Sequence, residues 1–79
     1  MIMSIKVRYF ASLKDRVGCA EQAIDSSGLS TVRSIWHAAN PDKKLPDNIL
    51  AAVNMDYVDL DSPVNDGDEV AFFPPVTGG

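Results

Sequence analysis

The amino-acid sequence predicts an α+β domain of two layers, with one main helix packed on a mixed β-sheet. Three features point to it. Apolar and polar residues alternate near both ends of the chain, one apolar stripe recurs with helical spacing in the middle, and the chain is only 79 residues long. A domain of this size buries about 60–65% of the surface its unfolded chain exposes, so one helix and one sheet must cover each other's apolar faces. Little volume is left for an enclosed pocket.

The elements follow in order. Residues 2–10 alternate, with Ile5, Val7 and Tyr9 on one side and Lys6, Arg8 and Phe10 on the other, the pattern of a half-buried strand. Residues 12–17 suit one or two helical turns stopped by Gly18, a residue that readily takes the left-handed conformation closing a helix. Residues 20–24 return as a second strand in a hairpin-like unit, and Asp25-Ser26-Ser27-Gly28 is a loop. The main helix begins at Ser30–Thr31, where a side-chain hydroxyl can accept a hydrogen bond from an unpaired first-turn amide. Val32, Ile35, Trp36 and Ala39 then fall on one stripe, which places Trp36 in the core, and Asn40-Pro41 ends the helix.

Residues 41–48, with two prolines, read as a loop, and residues 49–53 as a third strand. Asn54 and Met55 sit at a turn before a short strand at Tyr57–Val58. Residues 59–68 are polar and close with the turn signal Asp66-Gly67-Asp68. Residues 69–73 form the last strand, with Val70 and Phe72 facing one way and Glu69, Ala71 and Phe73 the other. The order strand, strand, helix, strand, short strand, strand suggests the β-grasp fold of ubiquitin. Residues 1–73 make up that domain and residues 74–79 a separate extended tail.

Composition narrows the function. Eleven acidic and seven basic residues give a formal net charge of −4. Such a surface repels a phosphate backbone, so nucleic acid is not an expected partner, whereas a basic protein surface would be attracted. Cys19 is the only cysteine, which excludes an internal disulfide and CxxC chemistry and leaves it the role of a small hydrophobe in a strand. His37 has no second ligand at metal spacing and reads as a surface residue. Lys6 and Arg8 interrupt any apolar run at the N-terminus, so neither a signal peptide nor a membrane span is expected, and the predicted location is the cytoplasm. Nothing resembles a Ser/His/Asp set, a metal cluster or a phosphate-binding glycine loop, and no bound cofactor is expected.

The chemistry instead points to the end of the chain, Pro74-Pro75-Val76-Thr77-Gly78-Gly79. Two prolines fix φ and lack amide donors, so they stop the sheet and stiffen an extended exit from it. Six residues at about 3.3 Å each reach roughly 20 Å. Gly78 and Gly79 have no side chains and can thread a channel too narrow for a Cβ, bringing the last carbonyl against another protein's active site. A terminal carboxylate is a poor electrophile at neutral pH. Chemistry there needs activation by ATP to an acyl-adenylate, and displacement of AMP by sulfide would leave a thiocarboxylate.

Residues 66–79, Asp-Gly-Asp-Glu-Val-Ala-Phe-Phe-Pro-Pro-Val-Thr-Gly-Gly, resemble the C-terminal signature of the molybdopterin synthase small subunits. Val7-Arg8-Tyr9-Phe10-Ala11, Gly18, the helix from Thr31 and the Val53-Asn54 turn extend the resemblance over essentially the whole chain. Gly-Gly ends alone are shared with the thiamin sulfur carrier and with ubiquitin-related modifiers; the Pro-Pro-Val-x-Gly-Gly ending favours the molybdenum-cofactor branch. The resemblance implies that an E1-like enzyme adenylates Gly79 and a sulfur donor protein converts it to the thiocarboxylate. The tail would then enter the large synthase subunit, where sulfur attacks cyclic pyranopterin monophosphate to build the molybdopterin dithiolene. It also implies a heterotetramer of two large and two small subunits. A carrier for thiamin or tRNA thiolation, a modifier attached to lysines, and an interaction domain with an inert tail are the alternatives.

Strand alternation puts Phe10 and Phe73 on the outward side of their strands. If β-grasp topology makes those strands neighbours, both aromatics flank the root of the tail, as an interface anchor would. Leu60, in an otherwise acidic loop, is expected to join them. Phe10, Leu60 and Phe73, with Pro74, Pro75, Val76 and Thr77 of the tail, are the predicted partner-binding residues.

Overall fold

The computed structural model describes residues 4–25, 28, 30–45 and 48–74. Among them the order is β1 (Ser4–Tyr9), α1 (Ser12–Val17), β2 (Glu21–Asp25), α2 (Val32–Ala39), β3 (Leu50–Val53), β4 (Asp56–Val58) and β5 (Glu69–Phe73). All five strands join one sheet in the order β2-β1-β5-β3-β4. The first and last strands lie side by side at its centre and run parallel, with Lys6 opposite Glu69, Val7 opposite Val70 and Tyr9 opposite Phe72. The remaining pairs are antiparallel, so the sheet is mixed.

α1 occupies the β1–β2 connection. It ends at Gly18, whose φ of 95° favours a residue without a side chain and whose amide donates to the Lys14 carbonyl at 2.9 Å. Cys19 lies in the link between this cap and β2, and not in a strand as predicted, because strand pairing resumes only at Arg8 opposite Glu21. Its half-buried side chain packs against the core, and its thiol donates to Gln22 Oε1 at 3.2 Å.

α2 starts at the predicted hydroxyl. Thr31 Oγ1 accepts from the Ser34 amide at 3.2 Å, and Ser34 Oγ accepts from the Thr31 amide at 3.0 Å, a reciprocal cap satisfying two otherwise unpaired donors. The stripe residues Val32, Ile35 and Trp36 are buried against one face of the sheet together with Ile5, Val7, Tyr9, Val70 and Phe72. Trp36 meets Tyr9 edge-on at 6.1 Å and Phe72 edge-on at 5.2 Å, geometry that suits aromatic quadrupoles. Asn40, the buried residue that caps the helix, donates from Nδ2 to the Tyr9 hydroxyl at 3.0 Å, so two polar groups inside the core satisfy each other. Burial raises the pKa of the Tyr9 phenol above its ordinary value, with the Asn40 hydrogen bond opposing this in part and Cys19 adding slightly to it.

The β3–β4 turn is where sequence and backbone meet most tightly. Asn54 and Met55 both have positive φ, 50° and 74°, as a two-residue type I′ hairpin requires. The Asn54 amide donates to the Glu69 carbonyl at 2.8 Å, its Oδ1 accepts from the Glu69 amide at 3.0 Å, and its Nδ2 donates to Asp68 Oδ1 at 3.0 Å. Asp68 Oδ2 in turn accepts from the Asn65 amide at 2.8 Å. One asparagine thus fastens the hairpin tip to the turn that launches β5.

Candidate functional site

The sheet face opposite α2 carries the candidate site. Register places Phe10 beyond Tyr9 on β1 and Phe73 beyond Phe72 on β5, so the two rings become neighbours in the row nearest the tail. They stack with centroids 4.8 Å apart and planes 7° from parallel. Each is half-buried, because each shields the other. Arg8 lies over the Phe10 ring at 5.2 Å, a cation–π contact. The expected adjacency of Phe10 and Phe73 is therefore present, and Pro74, half-buried, follows Phe73 directly. Pro75, Val76, Thr77, Gly78 and Gly79 lie outside the described residues.

Leu60 does not join the pair. The loop carrying it is tied to the first turn of α2, where the Arg33 amide donates to the Leu60 carbonyl at 2.8 Å and the Val32 amide to the Ser62 carbonyl at 3.1 Å. Its side chain packs against the main core and borders a separate open groove of about 640 Å³ with Ile49, Val58 and Arg33. Tyr57 alone of the aromatic residues reaches both that groove and the outward face.

Sequence reasoning missed the rest of the outward face. Tyr57 and Met55 are 71% and 89% exposed, and the Tyr57 ring tilts against Phe73 at 5.7 Å. β3 and β4 pair Ala52 with Tyr57, and β3 and β5 pair Ala52 with Ala71, so a row runs Arg8, Ala71, Ala52, Tyr57 across four strands. A two-residue turn after Val53 forces that register, so the signal was present in Asn54-Met55 once the turn type was known. Ala52 and Ala71 face outward yet are only 4% and 9% exposed, because the larger side chains around them close over. The result is a cleft of about 200 Å³ with an alanine floor. Arg8 is neutralised at its edge by Glu69 at 3.6 Å and Glu21 at 3.9 Å. An aromatic and aliphatic surface with paired charges is suited to contact with another protein. Among the described residues no three His, Cys, Asp or Glu side chains come together as a metal site.

A five-stranded mixed sheet with parallel terminal strands at its centre and one helix across it defines a ubiquitin-like β-grasp protein. The chain belongs to the ThiS family, whose model matches residues 7–79. It is 45% identical to the molybdopterin synthase sulfur carrier subunit of Escherichia coli over 95% of this chain and 99% of that one. The crystal structure of SAMP1 from Haloferax volcanii is similar at a TM-score of 0.79 and 30% identity, covering 96% of this chain and 99% of the other. A chain of the complex of subunits 1 and 2 of molybdopterin-converting factor from Helicobacter pylori shares the fold at a TM-score of 0.65 and 24% identity, covering 98% of this chain and all of that one (100%).

Proposed function

We propose that this chain is the sulfur-carrier subunit of a molybdopterin synthase and that its reactive group is the C-terminal carboxyl of Gly79. The observation that carries the reading is the near-full-length identity of 45% to the Escherichia coli sulfur carrier subunit. An E1-like enzyme transfers the adenylyl group of ATP to the carboxylate, releasing pyrophosphate and leaving an acyl-adenylate. Sulfide delivered by a donor protein then displaces AMP to give the thiocarboxylate. The tail enters the large subunit, and two such transfers supply the two sulfurs of the dithiolene on cyclic pyranopterin monophosphate. Adenylation belongs to the E1-like enzyme and sulfur insertion to the large subunit, with which this chain forms a heterotetramer of two large and two small subunits in the cytoplasm. The carrier contributes grip and delivery: the Phe10–Phe73 stack at the tail's root gives a docked partner an apolar anchor, and Gly78 lets the chain end pass a narrow channel. No described helix is long and apolar enough to cross a membrane.

The test is intact mass spectrometry after incubation with ATP, the activating enzyme and a sulfur source. The expected result is a mass gain equal to replacing one oxygen by one sulfur, localised to the C-terminal peptide. An unchanged chain in a reaction that consumes ATP would reject the carrier reading. The likeness to a small archaeal modifier protein of Haloferax volcanii, 27% identical, supports a second reading, attachment to lysines. Stable isopeptide adducts accumulating in cells, in place of the thiocarboxylate, would favour it.

A further inference from the structure

Met55 stands where the backbone favours glycine. It takes the second position of a two-residue turn at φ 74°, a conformation that crowds a β-carbon, and its side chain is 89% exposed. The fold gains almost no burial from that side chain. Among the described residues it is the only methionine, and the core is built without thioethers. Met55 also borders the cleft over Ala52 and Ala71, whose other walls include Phe10, Phe73 and Tyr57. Phe10 and Phe73 are the stack at the tail's root, so the thioether and that stack share one continuous surface.

We propose that Met55 is a redox-sensitive modification site: a hydroperoxide converts its thioether to the sulfoxide, and the sulfoxide weakens the complex between the carrier and the large subunit. The proposal rests on the carrier reading above and adds a control on it. The sulfur lone pair forms the S–O bond as the O–O bond of the peroxide breaks. Sulfur is oxidised by two electrons, and the proton of the transferred oxygen passes to the other oxygen, which leaves as water or an alcohol. Reversal by a methionine sulfoxide reductase takes two electrons from a dithiol and releases the oxygen as water. Three observations support the assignment. The exposure of Met55 gives an oxidant access with no opening of the fold. Its distance from the core confines the change to the surface, so oxidation alters binding and leaves folding alone. Its place on the cleft makes the change matter. An apolar, pliant wall becomes polar, and a partner closing over it would press the sulfoxide oxygen toward the methyl and ring carbons of Ala52, Ala71 and Phe73, which offer no hydrogen bond.

The experiment uses the full chain with its C-terminal carboxylate, so that no thiocarboxylate competes for the oxidant. The chain is treated with hydrogen peroxide, freed of it, and mapped by peptide mass spectrometry. Affinity for the large molybdopterin synthase subunit of the same organism is then measured by calorimetry, alongside thermal unfolding. Met55 should oxidise within about threefold of the rate of N-acetylmethionine amide, as a solvent-exposed thioether does. The oxidised chain should bind about tenfold more weakly, with Tm within about 2 °C of the untreated chain, and reductase treatment should restore binding. Met55→Leu, apolar at the same φ, retains Met1, Met3 and Cys19 and should bind equally before and after peroxide. An oxidised parent chain that binds as tightly as the untreated one overturns the switch while leaving the carrier reading intact. So does a Met55→Leu chain that loses affinity on treatment as the parent does, or a Met55 that oxidises more than about tenfold slower than the free derivative. An untreated chain that gains the thiocarboxylate yet shows no affinity for the large subunit overturns the switch and the synthase assignment together.

Discussion

On the helix-covered face of the sheet, Tyr9, Phe72 and Trp36 form a closed cluster in which each ring contacts the other two. On the opposite face, Phe10 and Phe73 have a stacked partner in each other and then solvent, with Tyr57 and Arg8 at their edges. Trp36 comes from α2, but Tyr9 and Phe72 of the first set and Phe10 and Phe73 of the second are neighbours along β1 and β5, one residue apart. Period-two alternation therefore divides adjacent aromatics between holding the fold together and meeting something outside it. Where rings are enclosed, their removal leaves a cavity. Where they are half-open, solvent or a partner takes their place.

That contrast can be tested in decreasing order of effect. Trp36→Ala should cost about 3–5 kcal/mol in urea unfolding, a large part of the ~4–12 kcal/mol expected for a chain of this size. A loss below about 1 kcal/mol would mean that α2 is not seated on this ring. Asn40→Ala strips the buried Tyr9 hydroxyl of its donor and should cost about 1–3 kcal/mol. Paired with Tyr9→Phe, the double variant should lose less than the two single losses added, and strict additivity would show the two groups to be independent. Phe10→Ala, on the open face, should lower stability by less than about 1.5 kcal/mol while weakening the complex with the large subunit about tenfold. Equal binding by this variant would remove the stacked pair from the interface.

The smallest effect is a pH slope. Burial raises the Tyr9 pKa, so the folded chain holds the phenolic proton more tightly than the unfolded chain does. The associated stability is fully present below tyrosine's ordinary value and is lost as pH rises from there through the raised one. The urea midpoint should therefore fall as pH rises above about 10, and Tyr9→Phe should flatten the decline. An unchanged slope in that variant would assign the alkaline loss to other groups.

How much of this could be read in the sequence follows the range of the interactions involved. β1 and β5 were legible because their alternation is local, and α2 because its stripe and its Thr31 cap lie within one element. The outward orientation of Phe10 and Phe73 came from the same periodicity, and their contact needed only the β-grasp order. Met55 and Tyr57 were harder: the left-handed turn that sets their face also depends on Asn54 bonding to Asp68 and Glu69, fourteen and fifteen residues on. Leu60 was misplaced for a similar reason. An apolar residue among aspartates looks like a surface anchor, but backbone bonds to α2 turn its loop to the helix side. Cys19 fell outside its expected strand because a helix cap uses up residues before pairing can resume.

β5 is bonded on both flanks, to β1 in parallel and to β3 in antiparallel fashion, and its far end leads into the terminal segment. Hydrogen bonds of a ladder lie across the strand, so a pull along the strand loads them in shear, many at once, and not one after another as in unzipping. Traction on the carboxyl end is thereby shared between two ladders at the middle of the domain. A pull on the chain end therefore meets both ladders together, β1 on one side of β5 and β3 on the other.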